Sequence, residues 1–292
     1  MPWLQLKIEV AATAAEQLSD CLTDLGANAV TFEDAADQPV FEPPPGEAPL
    51  WQATRVIGLF AAETDMAGII AALRATLDIP PSHARVDILE DQAWSRAWLE
   101  HFKPSRFGQR LWVIPSGYAP PDPHGVNLYL DPGLAFGTGT HPTTALCLKW
   151  LDAHPPEGQT VIDYGCGSGI LAVAAALLGA TQVDAVDHDP QALIATRENA
   201  VKNNTGDAIW TGFPAELRPI EADLILANIL ANPLIELQPQ LTARVRPGGH
   251  IVLSGILRSQ LDNVLESYKN NFDIKDVNFE DDWCRIAGRR FG

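Results

Sequence analysis

Eleven residues constrain this chain more than any others: Val161-Ile162-Asp163-Tyr164-Gly165-Cys166-Gly167-Ser168-Gly169-Ile170-Leu171. An apolar run ends in three glycines at alternate positions, and a second apolar run starts at once. The order predicts a buried strand over 160–164, a glycine turn, and a helix over 170–178. Glycine permits the sharp turn and lets a ligand approach the backbone closely. The start of the helix then offers N–H groups and positive dipole to a carboxylate or similar group. A glycine motif gains weight from this strand–turn–helix context. Its spacing is G-x-G-x-G. Dinucleotide turns use G-x-G-x-x-G, with the pyrophosphate over the helix start. Ile170 stands where that last glycine would be, so the spacing favours a nucleoside without a pyrophosphate.

Three further segments follow from this frame. Asp187 ends the next strand, 182–187, twenty residues past Gly167. A carboxylate there can accept hydrogen bonds from both ribose hydroxyls of an adenine nucleoside. Asp184 reads as a surface group in mid-strand, and Asp189, before Pro190, as a helix N-cap. Asn228 stands in the apolar strand 222–229, at the end that forms the ligand crevice in open α/β sheets. It can accept a hydrogen bond from an attacking amine. The stretch 131–144 packs three glycines and four threonines into fourteen residues. It precedes the helix ahead of the glycine strand, so it reads as a lid beside the crevice. His141 in it reads either as a base or as a helix cap.

From Pro142 onward strands and helices alternate: helix 142–153, the glycine unit, strand 182–187, helix 190–203, strand 222–229, helix 234–245, strand 250–254 and helix 259–270. Such alternation implies a mainly parallel sheet covered on both faces. Two closing strands, 272–280 and 283–290, imply one antiparallel strand inserted near the edge. Ahead of this, residues 1–90 read as βαββαβ, the ferredoxin-like pattern. Residues 92–102 read as a linking helix with Trp94 and Trp98 on one face, and 111–115 and 126–130 as strands. The expected fold is therefore α/β. A Rossmann-like doubly wound sheet spans 105–292, a ferredoxin-like α+β domain spans 1–90, and a linker spans 91–104.

At 292 residues, two domains are the default. No apolar run reaches the roughly 18 residues of a membrane helix, and the first residues do not read as a signal peptide. The four cysteines lack metal-type pairing and fit a reduced, cytoplasmic protein. The net charge of −17 argues against nucleic acid as the main partner. Residues 1–90 hold 4 Lys+Arg against 14 Asp+Glu, a balance of −10. That acidity reads as solubilising surface or as a docking face for a basic protein.

The segment Asp163 to Gly169, with Asp187 and Asn228 in this order, resembles the class I S-adenosylmethionine-dependent methyltransferases. The likeness goes further. Residues 130–144, 228–233, the Trp283-Cys284-Arg285-Ile286 end and the βαββαβ unit look like the bacterial methyltransferases of ribosomal protein eleven of the large subunit. The resemblance implies methylation of lysine side chains and of an N-terminal α-amine, with the N-terminal domain holding the protein substrate. It implies that Thr144, Gly165, Asp187 and Asn228 line the cofactor site. Gly167 and Gly169 of the turn, and Phe136, Gly137 and Thr138 of the loop, join that cofactor set, and Asn228 is the candidate catalytic residue. Many amino-group methyltransferases carry Asn/Asp-Pro-Pro-Tyr/Phe on the fourth strand. Here Asn228-Ile229-Leu230-Ala231 lacks both proline and aromatic, which argues against a base or a glutamine amide as acceptor and suits a flexible lysine. No metal is expected. A nucleotide-dependent oxidoreductase, a noncatalytic binding module and an RNA methyltransferase are the alternatives.

Overall fold

The computed structural model describes residues 2–36, 38, 49–77, 84–89, 102–131, 137 and 139–292. Contacts divide the chain into two compact units, Met1–Ala97 and Trp98–Gly292. The expected linking helix, with Trp94 and Trp98, lies outside the described residues.

The first unit runs β1 (Trp3–Ala11), α1 (Ala12–Asp24), β2 (Ala29–Asp34), β3 (Ala53–Ala61), α2 (Met66–Thr76) and β4 (Ala84–Leu89). Its antiparallel sheet has the order β2-β3-β1-β4, which is the ferredoxin-like arrangement expected. Period-two alternation sends Leu6 and Ile8 of β1 and Val56 and Phe60 of β3 to one face. There they meet Ala15, Leu18 and Leu22 of α1 and Leu73 of α2.

The second unit opens with a small sheet of β5 (Ser105–Phe107), β6 (Leu111–Ile114) and β7 (Val126–Tyr129), and β5 was not legible in the sequence. Then come α3 (Pro142–Ala153), β8 (Thr160–Tyr164), α4 (Ile170–Leu177), β9 (Gln182–Val186), α5 (Pro190–Lys202) and β10 (Ile209–Gly212). The rest is β11 (Ala222–Asn228), α6 (Ala231–Glu236), α7 (Gln238–Arg244), β12 (Val245–Leu257), α8 (Leu261–Tyr268), β13 (Phe272–Glu280) and β14 (Trp283–Arg290). The large sheet has the order β10-β9-β8-β11-β12-β14-β13. Strands β8 to β12 pair in parallel, and β14 alone runs against its neighbours. The doubly wound sheet with one inserted antiparallel strand is thus present. The single helix expected over 234–245 is two short ones, because Pro239 enters at the first turn of α7 and cannot donate to the preceding turn.

Alternation along the strands divides this unit's core in two. Val161, Val183, Leu224 and Val252 face α3, α4 and α5. Ile162, Val186, Ile225 and Ile251 face α6, α7 and α8, where the Tyr268 hydroxyl donates to the Leu234 carbonyl at 2.7 Å. Asp152 fastens the small sheet to α3: its buried carboxylate accepts from the backbone N–H groups of Gln109, Arg110 and Leu111.

Candidate functional site

The glycine turn is built as its spacing predicts. Gly165, Gly167 and Gly169 all take positive φ, at 78°, 53° and 77°. At Gly169 a Cβ would also lie 2.9 Å from the Thr196 Cα, so α5 can pack directly on the turn. The turn's carbonyls are taken by α5: the Thr196 hydroxyl donates to the Gly167 carbonyl at 3.1 Å, and Asn199 Nδ2 to that of Ser168 at 2.8 Å. At the start of α4 the structure departs from expectation. The Ala172 N–H donates to Asp163 Oδ2 at 2.9 Å, so this helix start is satisfied in part from within.

Asp187 reaches the turn directly. Its Oδ2 accepts from the Gly167 N–H at 2.9 Å and its Oδ1 from the Asp189 N–H at 3.0 Å. Each carboxylate oxygen has two acceptor positions, so both retain capacity for a ligand hydroxyl. Asp189 caps α5 through the Gln191 N–H, as expected. Asp184 corrects the sequence reading. It is fully buried, not a surface group, and is clasped by the Arg218 guanidinium, which lies over the Trp210 ring.

At the end of β11 the Asn228 side chain is held from one side only. Its Nδ2 donates to Thr144 Oγ1 at 3.2 Å, while its buried Oδ1 has no hydrogen-bond partner among the described residues. Thr144 is itself buried in the first turn of α3. That helix is capped by His141, whose Nδ1 lies 2.8 Å from Thr143 Oγ1 and whose ring meets Trp283 edge-on at 5.1 Å. Capping is therefore a role His141 performs, and burial lowers its pKa.

These groups converge on one cavity of about 520 Å³ at the carboxyl ends of β8, β9 and β11. Tyr164, Gly165 and Asp187 line it together with Asn228 to Leu230 and with His141 and Trp283. Of the expected set, Gly165, Asp187 and Asn228 line it directly, and Thr144 stands behind Asn228. Gly167 and Gly169 shape the turn without lining the cavity. Gly137 is tied to the turn, its carbonyl accepting from the Ser168 hydroxyl at 2.6 Å. Phe136 and Thr138 lie outside the described residues. Sequence reasoning missed Gly255, Pro214 and the wall made by Trp283. The Ser254-Gly255 bulge in β12 has no simple sequence signal, and Trp283, though part of the end that carries the family resemblance, is given no place in the site by sequence alone.

The cavity suits an adenine nucleoside better than a dinucleotide. Its described lining contains neither Lys nor Arg. The Ala172 N–H at the helix start, which a pyrophosphate could use, is already bonded to Asp163. Asp187 offers a bidentate acceptor, and Asn228 at the end of β11 lines the same cavity.

Comparison with known proteins agrees with this geometry. Residues 2–291 match the family model described as "Ribosomal protein L11 methyltransferase (PrmA)". A protein named ribosomal protein L11 methyltransferase from Methylococcus capsulatus is 55% identical over 290 residues, covering 99% of both chains. One of the same name from Nitrosococcus oceani is 51% identical over 292 residues, covering 99% of this chain and 100% of that one. A crystal structure of a ribosomal protein L11 methylase from Lactobacillus delbrueckii subsp. bulgaricus superposes with a TM-score of 0.60 at 35% identity, covering 65% of this chain and 100% of that one. A match over nearly every residue, on a sheet of this order with this crevice, makes the chain a member of the ribosomal protein L11 methyltransferase family.

Proposed function

We propose that this chain transfers methyl groups from S-adenosylmethionine to amino groups of ribosomal protein L11, on lysine side chains and on the N-terminal α-amine. The observation that carries the reading is Asn228, which lines the cavity with its amide nitrogen held by Thr144 and its buried oxygen without a partner among the described residues. Asp187 would hold the ribose hydroxyls, Gly165 would lie against the nucleoside, and Phe136, Gly137 and Thr138 would cover the cofactor. The sulfonium of S-adenosylmethionine supplies an activated methyl group, and the protein's task is to position the acceptor and keep the site dry.

An amine must arrive neutral. For a lysine with pKa about 10.4, deprotonation near pH 7 costs roughly 4–5 kcal/mol. The rim helps, because Leu230, Pro233, Leu237 and Trp283 withdraw the amine from water and burial lowers its pKa. Asn228 Oδ1 then accepts one N–H and fixes the direction of the nitrogen lone pair. The cytoplasm is the proposed compartment. All four cysteines are free thiols, and among the described residues no helix is long and apolar enough to cross a membrane.

The test is methyl transfer to purified L11, followed by mass spectrometry of the product. Asn228→Ala should lose far more in turnover at saturating S-adenosylmethionine than it loses in cofactor affinity. An Asn228→Ala enzyme that methylates L11 at the normal rate would remove Asn228 from the reaction. Absence of any transfer by the intact chain would end the reading itself.

A further inference from the structure

The mechanism above leaves one buried acid unused. Asp163 sits in β8, fully buried, on the face that meets α3 and α4. Its Oδ2 accepts from the Ala172 N–H, and its Oδ1 is enclosed with no partner among the described residues. An ionised carboxylate out of contact with water and with one of its two oxygens unbonded is costly. Among the described residues no cation acts on it directly; the Arg285 guanidinium of β14 acts on the Cys147 thiol and is paired with Asp276. In the sheet it stands opposite Ala185 of β9 and Leu226 of β11. From α3 comes the Cys147 thiol and from the turn the Cys166 thiol, both held neutral by burial. From the end of β9 comes a second negative charge, Asp187. Burial first, and the Asp187 charge with it, push the Asp163 carboxyl up to about 7, against the pull of the Ala172 N–H.

Two carboxyl groups thus share one glycine turn, and only Asp187 reaches the cavity. We propose that Asp163 senses the charge of what lies in that cavity: it holds a proton when the site is empty or holds the neutral sulfide product, and ionises when the sulfonium cofactor is bound. The inference rests on the cofactor reading given above. In the balance, one proton leaves the Asp163 carboxyl for solvent as the sulfonium enters, and one returns as the neutral sulfide replaces it. The buried acid therefore works as a specificity-determining residue. Its negative charge appears only opposite a positive sulfur, so it strengthens retention of the charged cofactor and not of the product. Acidification through pH 7 weakens that preference.

The experiment is calorimetry of S-adenosylmethionine and S-adenosylhomocysteine binding to the whole protein, in buffers of different ionisation enthalpy near pH 6.5. The wild-type protein should release more protons with the sulfonium than with the sulfide. The affinity ratio between the two should fall about tenfold from about pH 8 to about pH 5.5, the equivalent of one pKa unit. Asp163→Asn should remove both differences. Equal proton release for the two ligands overturns the proposal, and so does an Asp163→Asn protein that keeps the difference, which would implicate His141 or His188 at the cavity. If that variant does not fold, infrared difference spectra of the wild type decide. The band of a protonated carboxyl should be clearly weaker with the sulfonium than with the sulfide, and a band equal in the two refutes the idea. Failure to bind either ligand would instead refute the cofactor reading.

Discussion

Asp187 does two things at once, and a substitution separates them. Its carboxylate holds the Gly167 and Asp189 N–H groups and keeps acceptor capacity for two hydroxyls. Asp187→Ala should weaken S-adenosylmethionine binding by roughly 1.5–3 kcal/mol, read by calorimetry. It should also lower the melting temperature, since two backbone donors lose their partner. A folded variant with an unchanged dissociation constant would show that the ribose is held elsewhere. Thr144 acts through Asn228. Thr144→Val keeps the shape but frees the amide to turn, so turnover should drop about tenfold, the effect of roughly one charge-free hydrogen bond, while cofactor affinity stays level and Thr144→Ser restores the rate. Loss of cofactor affinity in place of turnover would put Thr144 against the cofactor itself. Asp163 makes a prediction about stability. With its folded pKa raised to about 7, the folded chain keeps a proton that the unfolded chain has released above about pH 4. The stability this proton confers is complete below the unfolded pKa and is lost as pH rises through 7. The ligand-free protein should therefore melt lower at pH 8 than at pH 6, and Asp163→Asn should flatten the trend. A wild-type trend that Asp163→Asn leaves intact would assign it to another group.

Element by element, the crevice depends on an irregularity that periodicity does not reveal. Strand β12 pairs regularly with β14 up to Leu253, then slips before Ile256. Two residues, Ser254 and Gly255, stand opposite the single Arg285, which is a bulge of one extra residue. Ser254 turns inward and donates to the Thr143 carbonyl at 3.0 Å. Gly255 takes φ +83°, and a Cβ there would lie 2.2 Å from the Ile229 carbonyl oxygen. The bulge thus lets the segment after Asn228 lie against β12. Gly255→Ala should cost roughly 1–3 kcal/mol in backbone strain and displace Ile229, lowering both melting temperature and turnover. A variant as stable and active as the wild type would show that the segment can shift freely. The long elements were legible because each buries one face: the glycine unit, α5 with its Asp189 cap, and the closing hairpin fall within a residue of expectation. The short ones were not. Strand β10 is four residues at the sheet edge, and β5 is three, too short for a period to register. Asp184 was misread because its Arg218 partner is thirty-four residues away, a pairing that only the fold creates. For the site, spacing to the glycine turn disclosed Asp187 and Asn228, while Trp283 and Gly255 reach the cavity from strands whose local pattern carries no chemistry.

In the whole molecule, each unit has a core of its own: the buried residues of the first unit cluster separately from the two clusters of the second. Every described residue lining the cavity belongs to the second unit. The first unit contributes charge. Residues 1–90 account for −10 of the net −17. On the sheet, Lys7 and Arg85 pair with Asp87, and Arg55 pairs with Glu9 and Glu33. The excess lies elsewhere: Glu16, Asp20 and Asp24 are exposed along α1, which has no Lys or Arg. A ribosomal protein is normally basic, and opposite charge speeds encounter and selects orientation. The proposed role of this domain is to hold the protein substrate while one crevice in the second unit performs every transfer. Removing residues 1–90 should then leave S-adenosylmethionine affinity within about twofold, because binding changes only when its own contacts change. Methylation of L11 should fall by at least about tenfold, the loss of some 1.4 kcal/mol of substrate binding. Activity of the intact chain should also decline with added salt, since screening shortens the reach of exposed charge to about 8 Å at physiological ionic strength, and the deletion variant should show a weaker salt dependence. The measurement is transfer to purified L11 by both proteins across a salt series, with cofactor binding checked by calorimetry. A folded deletion variant with full activity would show that the acidic unit does not hold the substrate, and its charge would then serve solubility alone.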